Sequence, residues 1–228
     1  MVENLDCYYR KIAILFNQLT PYSYQQGLAD KLVLIEYKEN KMLRNSQSSF
    51  GWISISIHWV SAVAIIGLFI LGWWMVDLTY YSPYYQTAPL WHTSIGILLV
   101  ILTVARLVWR KLNPSPAATG AKWETISAVI AHIAMYLLLF GIFFSGYLIP
   151  TADGRGIEVF NWFVVPSMGE LIDHQGTTSG DFHRWAAYIL MGLVVIHALA
   201  ALKHHFINKD TTLRRMLKPA KETNGDGK

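Results

Sequence analysis

The sequence predicts an all-α fold, an integral membrane four-helix bundle with both termini cytoplasmic. Three observations predict it. Four apolar stretches each approach or exceed the ~20 residues that cross a bilayer. Basic residues gather at alternate connections between them. The last stretch, Asp181 to Phe206, holds His183 and His197 within its apolar run. These two lie fourteen residues apart, about four helical turns, so they share one stripe roughly 21 Å apart along the axis. An ionisable side chain within a membrane helix is costly and ordinarily faces the bundle interior for a functional reason. Two on one stripe imply two stacked sites, one near each membrane face.

Composition agrees with a membrane chain. Of 228 residues, 53% are hydrophobic and only 15% charged, with a mean hydropathy of +0.30, a balance more apolar than that of a soluble domain. Nine Trp suit interfacial belts. The single cysteine, Cys7, rules out an intrachain disulfide, and the absence of Cys-x-x-Cys-His excludes covalent c-type haem. The net charge of +4 comes from basic residues beside apolar spans, which is not a nucleic-acid footprint.

Residues 1–45 form a polar, mixed-charge extension, read as disordered or weakly helical. Ile12 to Phe16 is too short to span, no cleavable signal peptide is recognisable, and Met42 is an alternative start. The membrane domain occupies 46–218 and a polar tail 219–228. The first span runs from about Ile53 to Val76, with His58 near its start. The second runs from about Leu90 to Trp109, with His92 at its start and Arg106 near its end, and Asn113 to Pro116 break it. The third covers about Ile126 to Ile149, carries His132 and is stopped by Pro150. Between 151 and 180, the short apolar run Ile157 to Val165 reads as an interfacial segment. The fourth span closes the bundle.

Charge orients the spans. The connection Asp77 to Pro89 has no Lys or Arg, and Thr151 to Asp181 has only Arg155 among several acids. Arg106 to Lys122 and the tail after His197 are basic. The positive-inside tendency therefore places both termini in the cytoplasm. Depth then sorts the histidines into an inner pair, His58 with His197, and an outer pair, His92 with His183. Haem iron accepts two imidazoles from opposite sides, and helix bundles build cofactor sites from facing side chains. Two non-covalent, bis-histidine b-type haems are the simplest use of this arrangement. Zinc ordinarily asks for four ligands, whereas each depth offers two, with His132 besides.

Neighbouring residues extend this reading. Gly96, one turn after His92, and Gly192, between the span-four histidines, either admit a flat macrocycle close to the backbone or serve helix packing. Arg106 and Arg184 either pair with propionates, inner and outer respectively, or snorkel to the interface. His132 and His204 are expected near the inner membrane surface, either as proton-exchanging partners of a quinone head group or as interfacial histidines. His205 reads as surface polar, and His174 has no assigned role.

The segments ISIHW (Ile55 to Trp59), WHTSIG (Trp91 to Gly96), FHRW (Phe182 to Trp185), HALAALKHHF (His197 to Phe206) and KDTTLRRM (Lys209 to Met216) resemble the bacterial four-helix cytochrome b561 family over about Ser49 to Lys218. The resemblance implies an inner-membrane di-haem electron carrier, with His58, His92, His183 and His197 at the axial positions. It further implies a quinone region near His132 and His204, with ubiquinone as acceptor. Superoxide is a donor used within the family, but the external loops here are net acidic, which disfavours anion steering. Two other readings stay open: a cytochrome subunit serving a separate dehydrogenase or soluble cytochrome, and a haem-free transporter using the same histidines.

Overall fold

The computed structural model describes residues 42–118 and 120–219, and before them only 26, 27, 30, 31 and 33. Most of the expected extension and nearly all of the 219–228 tail therefore lie outside the described residues. Contacts divide the chain into two units at Arg44 and Asn45, and the account that follows concerns the unit beginning at Asn45.

Four long helices form this unit: α1 (Trp52–Met75), α2 (Thr87–Leu112), α3 (Lys122–Thr151) and α4 (Gln175–Phe206). Each is long and apolar enough to span a membrane. The chain runs up and down through them. The start of α1 meets the end of α2, where the indole N–H of Trp109 donates to Ser54 Oγ at 3.0 Å. The end of α4 meets the start of α3, where Lys203 and Glu124 pair at 2.6 Å. Large apolar side chains such as Val63, Leu137 and Ile196 point outward, as a lipid-facing surface requires. The interior instead buries Ser61, Ser94, Thr103 and Ser145, small residues that let membrane helices approach. Ser61 and Ser145 satisfy their hydroxyls on the carbonyls of Ile57 and Gly141, one turn back.

The ends of the helices follow local chemistry. α2 carries Arg110 and Lys111 in its last turn, matching the negative end of the helix dipole. It stops at Asn113, whose extended backbone is the conformation favoured before Pro114. At the start of α3, Glu124 accepts the backbone N–H of Ala121 at 3.1 Å, the backward half of a capping box. Pro150 does not stop this helix as expected. It occupies the last turn, and α3 closes one residue later at Thr151, whose hydroxyl donates to Tyr147 O at 2.7 Å. The missing proline N–H removes a single ladder bond where the ladder is already ending.

α4 begins at Gln175, six residues before the expected Asp181. Fully buried Gln175 donates to Leu148 O at 3.0 Å and accepts from the Leu171 N–H at 2.7 Å, stitching α4 to the end of α3.

The run Ile157 to Val165 is a β-hairpin, β1 (Ile157–Val159) with β2 (Phe163–Val165), antiparallel with Ile157 opposite Val165. Three residues, Phe160 to Trp162, link the strands; Phe160 and Asn161 both have positive φ, 48° and 63°, at the centre of a turn that the Trp162 N–H closes on Val159 O at 2.9 Å. Val159 and Ile157 are buried. Ser94 of α2 anchors the tip: its hydroxyl accepts the Phe160 N–H at 3.1 Å and donates to Glu158 O at 3.4 Å. Replacing Ser94 by alanine strands that amide, and the expected cost is about 1–2 kcal/mol. The loss is read as faster proteolysis within 157–165, with the helical signal unchanged.

α5 (Thr212–Arg215) folds the segment after α4 back across the bundle end. The indole of Trp59 donates to Met216 O at 2.7 Å, and Arg215 donates to Ala117 O at 2.8 Å.

Candidate functional site

The bundle brings four of the predicted histidines together in two pairs. His92 of α2 faces His183 of α4 with ring centroids 6.1 Å apart and planes at 64°. His58 of α1 faces His197 of α4 at 6.4 Å and 65°. Both partners on α4 lie on the one stripe that the fourteen-residue spacing defines. Two imidazoles sharing one metal at about 2.0–2.1 Å per bond place their centroids roughly 6 Å apart, and both pairs meet that separation.

At the His92–His183 end the helices line a half-open pocket. Its walls are almost entirely apolar, with Phe69, Leu99, Leu139 and Phe143 among them, and both imidazoles open into it. Gly96 lines the same space, and a Cβ there would meet nothing within 4 Å, so the cavity runs up to the α2 backbone. Gly192 also has open space beside it but does not line this cavity.

Two other glycines seat the imidazoles themselves. A Cβ at Gly72 would lie 3.0 Å from His92 Cε1, and one at Gly146 would lie 3.0 Å from His183 Cε1. His183 Nδ1–H donates to Ile142 O at 3.0 Å, with Ser145 Oγ at 3.2 Å. That commitment leaves Nε2 as the nitrogen with a free lone pair, the usual arrangement of a ligating histidine. His92 Nδ1 is buried without a hydrogen-bond partner among the described residues, a polar atom for which the apolar cavity supplies no mate. The site thus fits a flat, largely apolar group that takes one ligand from each side.

The opposite end is more polar. Arg106 Nη2 lies 2.8 Å from His58 Nδ1 and its guanidinium 5.9 Å over the Tyr136 ring, so it reaches the inner pair. Tyr136 places its hydroxyl in the interior with no partner among the described residues. His132 lies beside the inner pair. It sits in the third turn of α3 and packs edge-on to His197 at 5.2 Å, its Nδ1–H held by Ala128 O at 2.6 Å. His204 keeps different company: its Nδ1 lies 2.6 Å from Asp210 Oδ2, and a Cβ at Gly120 would touch its ring at 3.4 Å.

The remaining residues fall outside the two pairs. Arg184 pairs with Asp181 at 3.0 Å on the exposed rim, and Arg155 with Asp153 at 2.7 Å. His205 is half-buried, with its Nδ1 inaccessible and its ring edge-on against Phe206 at 4.8 Å. His174 is the exposed residue preceding α4, with φ of 57°.

Sequence reasoning missed Tyr136, Ser145, Gly72, Gly146 and Asp210. Tyr136 lay within reach, since it falls four residues after His132 and hence on the same helix face. Ser145 and the two glycines become visible only when α1 meets α2 and α3 meets α4.

Four membrane-length helices holding facing imidazoles at a metal-bridging distance, beside an apolar cavity, define a membrane protein of the cytochrome class. Residues 49–219 match the family described as prokaryotic cytochrome b561, and the chain belongs to that family of haem-binding electron-transport membrane proteins. It is 46% identical to cytochrome b561 homolog 2 of Escherichia coli over 76% of this chain and 93% of that protein. It is 26% identical to "Probable superoxide oxidase CybB" of Yersinia pestis, over 74% of this chain and 95% of that one. Cytochrome b562 of Cereibacter sphaeroides is 25% identical over 73% and 94%.

Proposed function

We propose that this chain carries electrons across the bacterial inner membrane through two b-type haems, from an external donor to ubiquinone near the cytoplasmic face. The observation that carries the reading is the pair of imidazole pairs, at 6.1 and 6.4 Å, strung along α4 and repeating one geometry at two depths. His92 and His183 would hold the outer haem, and His58 and His197 the inner. The haem supplies the one-electron chemistry; the protein supplies ligands, orientation and a low-dielectric surround that tunes the potential.

The apolar pocket walls would give the outer haem a low-polarity surround, and Gly72 and Gly146 leave the His92 and His183 rings room to face each other. At the inner end Arg106 places a fixed positive charge beside His58, suited to a haem propionate. His132, held through Nδ1 by Ala128, and His204 supply the polar side chains for a quinone head group. Both termini face the cytoplasm in this arrangement, which the basic residues of the α2–α3 connection and the tail support.

The donor is a reductant that needs little cationic steering. Each arginine of the expected external face is matched by an adjacent carboxylate, Arg155 by Asp153 and Arg184 by Asp181, so an anion such as superoxide gains little attraction there.

The reading is tested by mixing the dithionite-reduced, detergent-solubilised protein with a short-chain ubiquinone and following the visible band. Reoxidation is expected in the wild type, and His132→Ala slows it about tenfold or more, the loss of a hydrogen-bonding or proton-exchanging partner, with haem content retained. A wild type that ubiquinone does not reoxidise contradicts the acceptor.

A further inference from the structure

We infer that Asp210 is the positioning residue of His204, forming with it a carboxylate–imidazole dyad that delivers protons to a quinone at the inner end of the bundle. The inference rests on the quinone reading above. It begins from geometry that quinone binding alone does not require.

His204 lies in the last turn of α4 and Asp210 six residues on, where the chain has turned back on itself. The Asp210 N–H donates to the His204 carbonyl at 3.1 Å, and His204 Nδ1 approaches Asp210 Oδ2 at 2.6 Å. Backbone and side chain thus clasp the same residue. The other carboxylate oxygen, Oδ1, accepts the Thr212 N–H at 2.8 Å, so the carboxylate is fixed at both atoms. Both side chains are largely withdrawn from solvent, with 15% and 19% exposed. Burial alone would raise the pKa of Asp210, but the hydrogen bonds from Thr212 and His204 outweigh it and hold the carboxyl below its ordinary value.

The neighbouring charges are already matched. Lys203 is paired with Glu124 of α3 at 2.6 Å, and Glu124 also accepts the Ala121 N–H. Asn208 lies 3.3 Å from His204 Nδ1. Asp210 is therefore the carboxylate committed to His204. By holding Nδ1–H it fixes the tautomer and leaves Nε2 to exchange a proton.

Reducing a quinone to a quinol consumes two electrons, which arrive singly through the haem-carrying chain, and two protons. In each delivery the Nε2–H bond of the doubly protonated ring breaks, its electron pair stays on nitrogen, and the proton passes to a quinone oxygen. A hydronium ion of the solvent at the bundle end then returns a proton to Nε2 and becomes water. Asp210 stays ionised throughout and balances the ring's positive charge.

Asp210→Asn tests this in the full-length, haem-loaded protein. Asparagine retains a side-chain oxygen for the Thr212 N–H but removes the charge. At saturating short-chain ubiquinone, reoxidation of the reduced variant is expected to slow by about ten- to a hundredfold, within the range of general acid–base effects. Haem content should not change, and Asp210→Glu should recover most of the rate. Independently, ¹⁵N-histidine NMR of the wild type should show His204 protonated at Nδ1 in a strong hydrogen bond, a signature absent from Asp210→Asn. Wild-type reoxidation by Asp210→Asn, or an unaltered His204 spectrum, overturns the dyad while leaving the quinone reading intact. Failure of ubiquinone to reoxidise the wild type overturns both, and a persisting NMR signature then makes Asp210 a structural clasp of the tail.

Discussion

Substituting alanine for His92 or His183 removes one b-type haem signal and leaves the other, and alanine at His58 or His197 does the reverse. The selectivity follows from the spacing along α4, where His183 and His197 are fourteen residues and roughly 21 Å apart. Each pair draws its second ring from a different helix, α2 for one and α1 for the other. Truncating one ring leaves the iron a single protein ligand, and nothing about that loss reaches the distant pair. The haem-to-chain ratio should fall to about half, since each pair supplies one complete bis-histidine site. Loss of both haems from a single substitution, with the helices intact, would show that the sites are not independent. Retention of both would remove that histidine from the ligand set.

The second large effect is expected at Gly146. Its missing side chain faces His183, with the virtual Cβ 3.0 Å from Cε1 and 3.2 Å from Nδ1. Valine would push the ring by several tenths of an ångström at its first carbon and farther at its methyls, breaking the Nδ1–H bond to Ile142 O that sets the ring's orientation. The interior resists such a shift because packed side chains have few alternative places. Gly146→Val should therefore lose the outer haem, or shift its spectrum and potential, while the inner haem remains. Gly67→Ala, whose Cβ meets nothing within 4 Å, is the control that should keep both. An unchanged outer haem in Gly146→Val would mean that the ring does not occupy this seat.

Much of this architecture is legible in the sequence. Helices of 24 to 32 residues leave an apolar signature that no loop imitates, and fourteen-residue spacing puts His183 and His197 on one stripe whatever packs against them. Depth order then brings His58 to His197 and His92 to His183. What the sequence conceals is set by contacts between distant segments. Ile157 to Val165 reads equally well as an interfacial segment or a strand pair, because its turn is Phe160-Asn161 instead of a glycine-bearing dipeptide. Gln175 extends α4 because its side chain caps groups on the end of α3. His132 and His204 look alike as polar residues near one face, yet the former packs on His197 and the latter on Asp210. That separation depends on how the chain folds back after α4, which periodicity does not encode.

The central claim is that the two imidazole pairs hold two haems in one chain. The most direct measurement is the reduced-minus-oxidised visible spectrum of the detergent-solubilised protein, with haem per chain counted by pyridine extraction. Two b-type haems per chain, both low-spin in either oxidation state, is the predicted result. One haem per chain would contradict the claim and leave one of the 6.1 Å and 6.4 Å pairs without an iron.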